Sequence, residues 1–110
     1  MNTTRVPNWG GRRAQRITLA VLTAKGRTCH LCGLGGANSA DHEPPRSVLI
    51  RAGITTPDAL RFLFPSHLVC NIHRKAQPIT DQLRAECRAK MMAAHQVTTT
   101  RSARFAGRAS

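Results

Sequence analysis

Cys29-His30-Leu31-Cys32-Gly33-Leu34-Gly35-Gly36, running on into Ala37-Asn38-Ser39-Ala40-Asp41-His42, is the stretch on which the fold turns. A C-x2-C knuckle followed by glycines brings two thiolates within reach of one tetrahedral ion at about 2.3 Å. In a reducing compartment that spacing seldom serves a disulfide, and a thioredoxin-like use would want a βαβ surround that this sequence lacks. The second half of such a site has to come from around Cys70, where His67-x2-Cys70 and Cys70-x2-His73 each complete a Cys3His set. A helix over 67–76 does not choose between them, because residues three apart share a helix face in either case. Cys87 is left over; it falls on the apolar stripe of the last helix and reads as a small buried hydrophobe.

Ten residues past the knuckle stand Asp41 and His42. Neighbouring side chains of an extended segment point to opposite faces, so the two can share a site only if the strand ends or bends there. Pro44-Pro45 predicts that ending. An imidazole beside a phosphate can take a proton from water at neutral pH, and a nearby carboxylate can hold a divalent ion.

Outward from this centre, Ala14, Ile17, Ala20, Val21 and Ala24 fall at helical spacing and Gly26 is a stop, which predicts a helix over 12–25. Thr56-Pro57-Asp58 has the cap, first-turn proline and acid of a brief helix start. Phe62 to Pro65 should be extended, and a helix from His67 to Ala76 should end before Pro78. Thr80 or Asp81 caps a further helix with the stripe Leu83, Cys87, Met91 and Ala94. The expected organisation is a flexible basic arm over 1–11, one domain over 12–96 and a basic disordered tail over 97–110.

A chain of 110 residues with 41% hydrophobic and only 4% aromatic residues can bury only a thin core. A structural metal, contributing on the order of 10 kcal/mol to folding, would offset that deficit. Seventeen Lys and Arg against five acids give a net charge of +12, concentrated toward the two ends. Such a charge calls for a polyanionic partner, and the preponderance of arginine suits phosphate contacts. Nucleic acid is therefore the expected partner, with Arg46, Arg74 and Lys75 as candidate phosphate grips beside Asp41-His42. Apolar runs such as Leu19-Ala20-Val21-Leu22 are far short of a membrane span and nothing reads as a signal peptide, so a cytoplasmic, non-membrane protein is expected.

Cys29-x2-Cys32-Gly33, Ala40-Asp41-His42-x2-Pro45-Arg46-Ser47 and Pro65-Ser66-His67-x2-Cys70-Asn71, in that order and spacing, resemble the HNH endonuclease family, particularly its small phage-encoded members from actinobacterial viruses. The resemblance covers roughly residues 27–76. It implies an α+β fold with a small ββα-metal core, a structural zinc knuckle and flanking helices. It favours Cys29, Cys32, His67 and Cys70 as zinc ligands, His42 as general base, and Asp41 with Asn71 as ligands of a catalytic Mg, Mn or Ni ion. The implied activity is metal-dependent hydrolysis of DNA with little sequence specificity, in the host cytoplasm, with a phage terminase as partner in genome packaging.

One position departs from the family pattern. The asparagine that steadies the loop carrying the base is expected five residues before His67, and Phe62 stands there. His73 is a second oddity, open to reading as a substitute metal ligand, a phosphate contact or neither. Phe62 is the main support for the alternative, a zinc-stabilised nucleic-acid-binding protein without catalysis. A zinc-ribbon protein of RNA or the ribosome would leave Asp41-His42 unexplained.

Overall fold

The computed structural model describes residues 6–109, with side chains through 95. The chain is a small α+β protein whose described residues form a two-stranded antiparallel sheet and four α-helices, of which the first and third pack on the sheet. Helix α1 spans Gly11–Lys25, strand β1 Ser39–His42, helix α2 Arg46–Arg51, strand β2 Leu63–Ser66, helix α3 Leu68–Arg74 and helix α4 Asp81–Ala109. Helix α1 follows the expected 12–25 closely, and Gly26 closes it at φ 84°, a left-handed geometry that glycine adopts without a side-chain clash.

The sheet pairs Ser39 with Ser66 and His42 with Leu63, so β1 ends at the residue where Pro44-Pro45 predicted an ending. Helix α1 lies against both strands, α3 against β1, and α4 against α3. Two small apolar clusters replace a single large core. One joins Val21, Ala40 and Leu63, with Trp9 and Ile17 packed on it. The other joins Cys29, Leu31, Cys32, Cys70, Leu83 and Cys87, with Leu34, Ile79 and Met91 against it.

Four expectations change. Thr56-Pro57-Asp58 starts no α-helix; a turn leads into a single 3-10 turn at Leu60–Phe62, and the Asp58 carboxylate faces partners elsewhere in the chain instead of a helix terminus. Helix α2, with its exposed Val48 and Ile50, was not foreseen, because six residues are too few to show a period. The arm expected to be flexible over 1–11 is docked where it is described, with Trp9 against the core and Arg46 donating to the Pro7 carbonyl; residues 1–5 lie outside the described residues. Helix α4 continues through the segment expected to be a disordered tail, where no proline interrupts it.

Candidate functional site

The knuckle is built by backbone geometry. Gly33 takes φ 79° and its N–H donates to the Cys29 carbonyl (2.8 Å), which turns the chain tightly enough to bring both thiols to one side. From across the sheet, His67 at the start of α3 and Cys70 one turn later complete a group whose four ligand atoms lie within 4.8 Å of one another, all buried. His73 is not in that group. The His67 ring fixes its own tautomer: Nε2–H donates to the Gly35 carbonyl (2.7 Å), an acceptor only, so the lone pair is on Nδ1. Nδ1 sits 3.3 Å from Cys32 Sγ and 3.8 Å from Cys70 Sγ. Around a tetrahedral zinc the N···S edge is about 3.6 Å.

Backbone N–H groups of Cys32 and His67 point at Cys29 Sγ (3.5 and 3.4 Å), and that of Leu34 at Cys32 Sγ (3.4 Å). Donors aimed at sulfur favour thiolate. Burial pushes the Cys70 thiol far up, and the charges of Cys29 and Cys32 add to it, so the cluster is poorly suited to carrying its negative charge alone. A soft dication reverses that balance, and the Cys3His donor set could hold zinc. Cys87 packs beneath, its Sγ 3.8 Å from the Cys70 carbonyl, as a buried small side chain.

A second centre lies at the end of β1. Asp41, His42 and Asn71 line one open cleft of about 330 Å³ together with Trp9, Arg46 and Lys75, so the strand end does let the neighbours Asp41 and His42 share a site. His42 is 7% exposed, and its Nε2–H donates to Asp58 Oδ1 (2.7 Å), which places the imidazole lone pair on Nδ1. Asp58 in turn accepts from Arg13 Nη1 (2.7 Å) and from Arg46 Nε and Nη2 (2.8 and 3.1 Å). Burial works to raise the Asp58 carboxyl, but these cationic donors outweigh it and hold it well below the ordinary carboxylate range. For His42, burial is the largest influence and lowers its value, opposed by the Asp58 hydrogen bond and charge. Trp9 meets the His42 ring edge to face at 4.8 Å between centroids.

Asp41 is already engaged. Its Oδ2 accepts from Arg74 Nη1 (2.6 Å) and from His30 Nε2 (2.8 Å), His30 being stacked on Phe64. Asn71 donates from Nδ2 to the Ala40 carbonyl (3.3 Å), which leaves its amide oxygen as the end able to meet a cation.

Two of the three expected phosphate grips are otherwise occupied. Arg74 is wholly buried; besides Asp41 it donates to the His42 carbonyl (3.0 Å), Glu43 Oε2 (2.9 Å) and the Gln77 carbonyl (2.9 Å). It therefore clamps three consecutive residues at the strand end and cannot reach a phosphate. Arg46 braces Asp58 and the Pro7 carbonyl from the rim of the cleft. Lys75 remains, exposed at the cleft edge. His73 is neither a zinc ligand nor turned to the cleft: its Nε2–H donates to Glu86 Oε1 (2.8 Å) and ties α3 to α4. The Phe62 carbonyl accepts from Glu43 N–H (2.8 Å), so the loop after His42 is held here by a backbone group, by Arg74 and by Asp58.

Asp58, His30 and Trp9 are the residues that sequence reasoning missed at this centre. Comparison of the chain with known protein families, with curated proteins and with solved structures finds no match. What fold and site define is a small α+β protein with a Cys3His centre that could bind zinc, adjoining a cleft that gathers Asp41, His42 and Asn71.

Proposed function

We propose that this chain is a metal-dependent DNA endonuclease of HNH type, with β1, β2 and α3 as its ββα-metal core and zinc in the Cys3His centre. The observation that carries the reading is the His42 side chain: buried, anchored through Nε2 to Asp58, and keeping Nδ1 as a proton acceptor in the cleft shared with Asp41 and Asn71. In the proposed reaction Nδ1 takes a proton from water as its oxygen attacks phosphorus in line, and the arginine-braced Asp58 stabilises the imidazolium that results. Lys75 at the rim supplies a contact to a neighbouring phosphate.

The oxygen donors of Asp41 and Asn71 suit a hard cation such as Mg or Mn. A divalent ion bound there would supply charge stabilisation to the phosphate and the leaving oxygen. The net charge of +12 supplies sequence-independent attraction to DNA. A part in phage genome packaging beside a terminase belongs to the same proposal, through the family resemblance alone, as does a cytoplasmic location. No described helix is long and apolar enough to cross a membrane.

One observation favours the second reading, a zinc-stabilised DNA-binding protein without catalysis: Asp41 Oδ2 already has two donors. Nicking of supercoiled plasmid by zinc-loaded protein with Mg, Mn or Ni separates the two. The nuclease reading expects cleavage with at least one ion, and a loss of about 10²–10⁴-fold in His42→Ala with zinc content and DNA affinity unchanged. No cleavage with any of the three, alongside intact DNA affinity, leaves the binding reading.

A further inference from the structure

A groove of about 450 Å³ runs between α1, β1 and α3 and adjoins the cleft at Asp41-His42, the two sharing Trp9, Ala40 and Asn71. Its chemistry differs from everything around it. On a chain carrying +12, no charged residue lines it among the described residues; the walls are Trp9, apolar side chains and the uncharged polar groups of Gln15, Thr18, Asn38, Ser39 and Asn71. Leu19 and Leu68 stand 61% and 52% exposed along it. A phosphate has no counter-charge inside such a groove, whereas a flat heteroaromatic ring finds an indole, aliphatic walls and amides for its edge. Asn38 already caps α3, its Oδ1 accepting from Leu68 N–H (2.9 Å), so its amide NH2 is the end presented to a ligand. Arg12 and Arg16 are exposed and share the face of α1 that carries Gln15 and Leu19, where they can follow a backbone whose base turns inward.

We propose that this groove is a subsite for one unpaired nucleobase of the strand whose phosphate lies in the cleft, so that the preferred substrate is single-stranded or locally unpaired DNA. The inference rests on the nuclease reading for what occupies the cleft next door. It deepens that reading from DNA in general to a strand with a base out of the duplex, stacked on Trp9 and edged by Gln15 and Asn38. Such a base leaves its helix at a cost that a gap, flap or frayed end has already met.

Trp9 is the only tryptophan, so all indole fluorescence comes from the wall shared by groove and cleft, and the abasic oligomer, which fills the cleft without a base, isolates the groove's part. The zinc-loaded full chain, without added divalent ion so that nothing is cut, is titrated with a short oligothymidylate and with an abasic oligomer of equal length and charge. The expected result is quenching of Trp9 by oligothymidylate only, with affinity about tenfold or more above the abasic oligomer. Gln15→Glu, an exposed helix position whose change leaves the fold intact, places a charge in the groove and should erase most of that difference while affinity for the abasic oligomer falls only slightly. Equal affinity for both oligomers with no base-dependent quench overturns the subsite, as does equal quenching by blunt duplex. Plasmid nicking by the wild-type protein with Mg, Mn or Ni, run beside the titration, separates the two readings: a base-dependent quench without nicking by any of the ions sinks catalysis and keeps the groove, and nicking without the quench does the reverse.

Discussion

Asp58 decides how His42 can behave. Its carboxylate joins one imidazole to two guanidinium groups from segments 12 and 45 residues away, and so fixes the ring while keeping itself ionised. For the proposed base the neutral imidazole is the active form, and burial lowers the His42 value, so cleavage should rise with pH through an inflection below the usual histidine value of about 6.5. Asp58→Asn keeps an acceptor but removes the charge that opposes burial. Its inflection should move lower still while the plateau drops by about 10²-fold or more; an unchanged pH profile would separate Asp58 from the chemistry. Acid stability follows the same two residues. Both have folded values below their unfolded ones, so the unfolded chain takes up protons first and stability is lost as pH falls, beginning below about 6.5 for His42 and below about 3.9 for Asp58. Urea midpoints measured from pH 7 downward should decline in that order, and Asp58→Asn should remove the lower step. Phe62→Asn, by contrast, should leave cleavage unchanged, because the group that holds the loop is the Phe62 carbonyl.

At the level of elements, Arg74 locks α3 to the end of β1 through four residues' worth of acceptors. Arg74→Ala strands the buried Asp41 carboxylate and should cost about 3–5 kcal/mol by chemical denaturation, the range for breaking one side of a buried pair. His73→Ala breaks only a solvent-exposed tie to Glu86 and should leave stability and zinc binding close to wild type, whereas Cys70→Ala should lose both zinc binding and fold. Retention of zinc by Cys70→Ala in elemental analysis would refute the ligand set. What the sequence made legible was local: the knuckle, the period of α1, the stop after His42, the start of α3 at His67. Hydrogen-bond spacing, turn glycines and prolines act over a few residues and leave their mark there. The choice of His67 over His73 was visible only by resemblance, since spacing alone allowed both. Asp58 read as a helix-start acid because its true partners are remote, and nothing in Arg46 or Arg74 distinguishes a buried brace from a solvated phosphate contact. Trp9 was hidden by the glycine-rich context that made its segment look unstructured.

Across the whole molecule the charge is long-ranged where the site is short-ranged. With about six to eight phosphates contacted, DNA affinity should fall by about three to four orders of magnitude between 50 and 200 mM salt. Truncation after residue 96 removes three arginines, and should flatten that slope while leaving cleavage in place. A slope near zero would dissociate the net charge from DNA binding. With only two small apolar clusters, the fold would lean on a metal in the Cys3His centre, since half of the six buried residues of one cluster are its candidate cysteine ligands.

That burial has a consequence in time. All four ligands of the Cys3His centre are at most 5% exposed, whereas Asp41 and Asn71 edge an open cleft. An ion at the cleft would exchange with solvent directly, but one among the buried sulfurs can leave only when the chain opens locally. Chelator should therefore switch cleavage off in two phases: a prompt loss restored at once by adding Mg, and a slow one, running at the pace of structural opening, that Mg no longer repairs. The interval between them would measure how long the emptied protein keeps its shape.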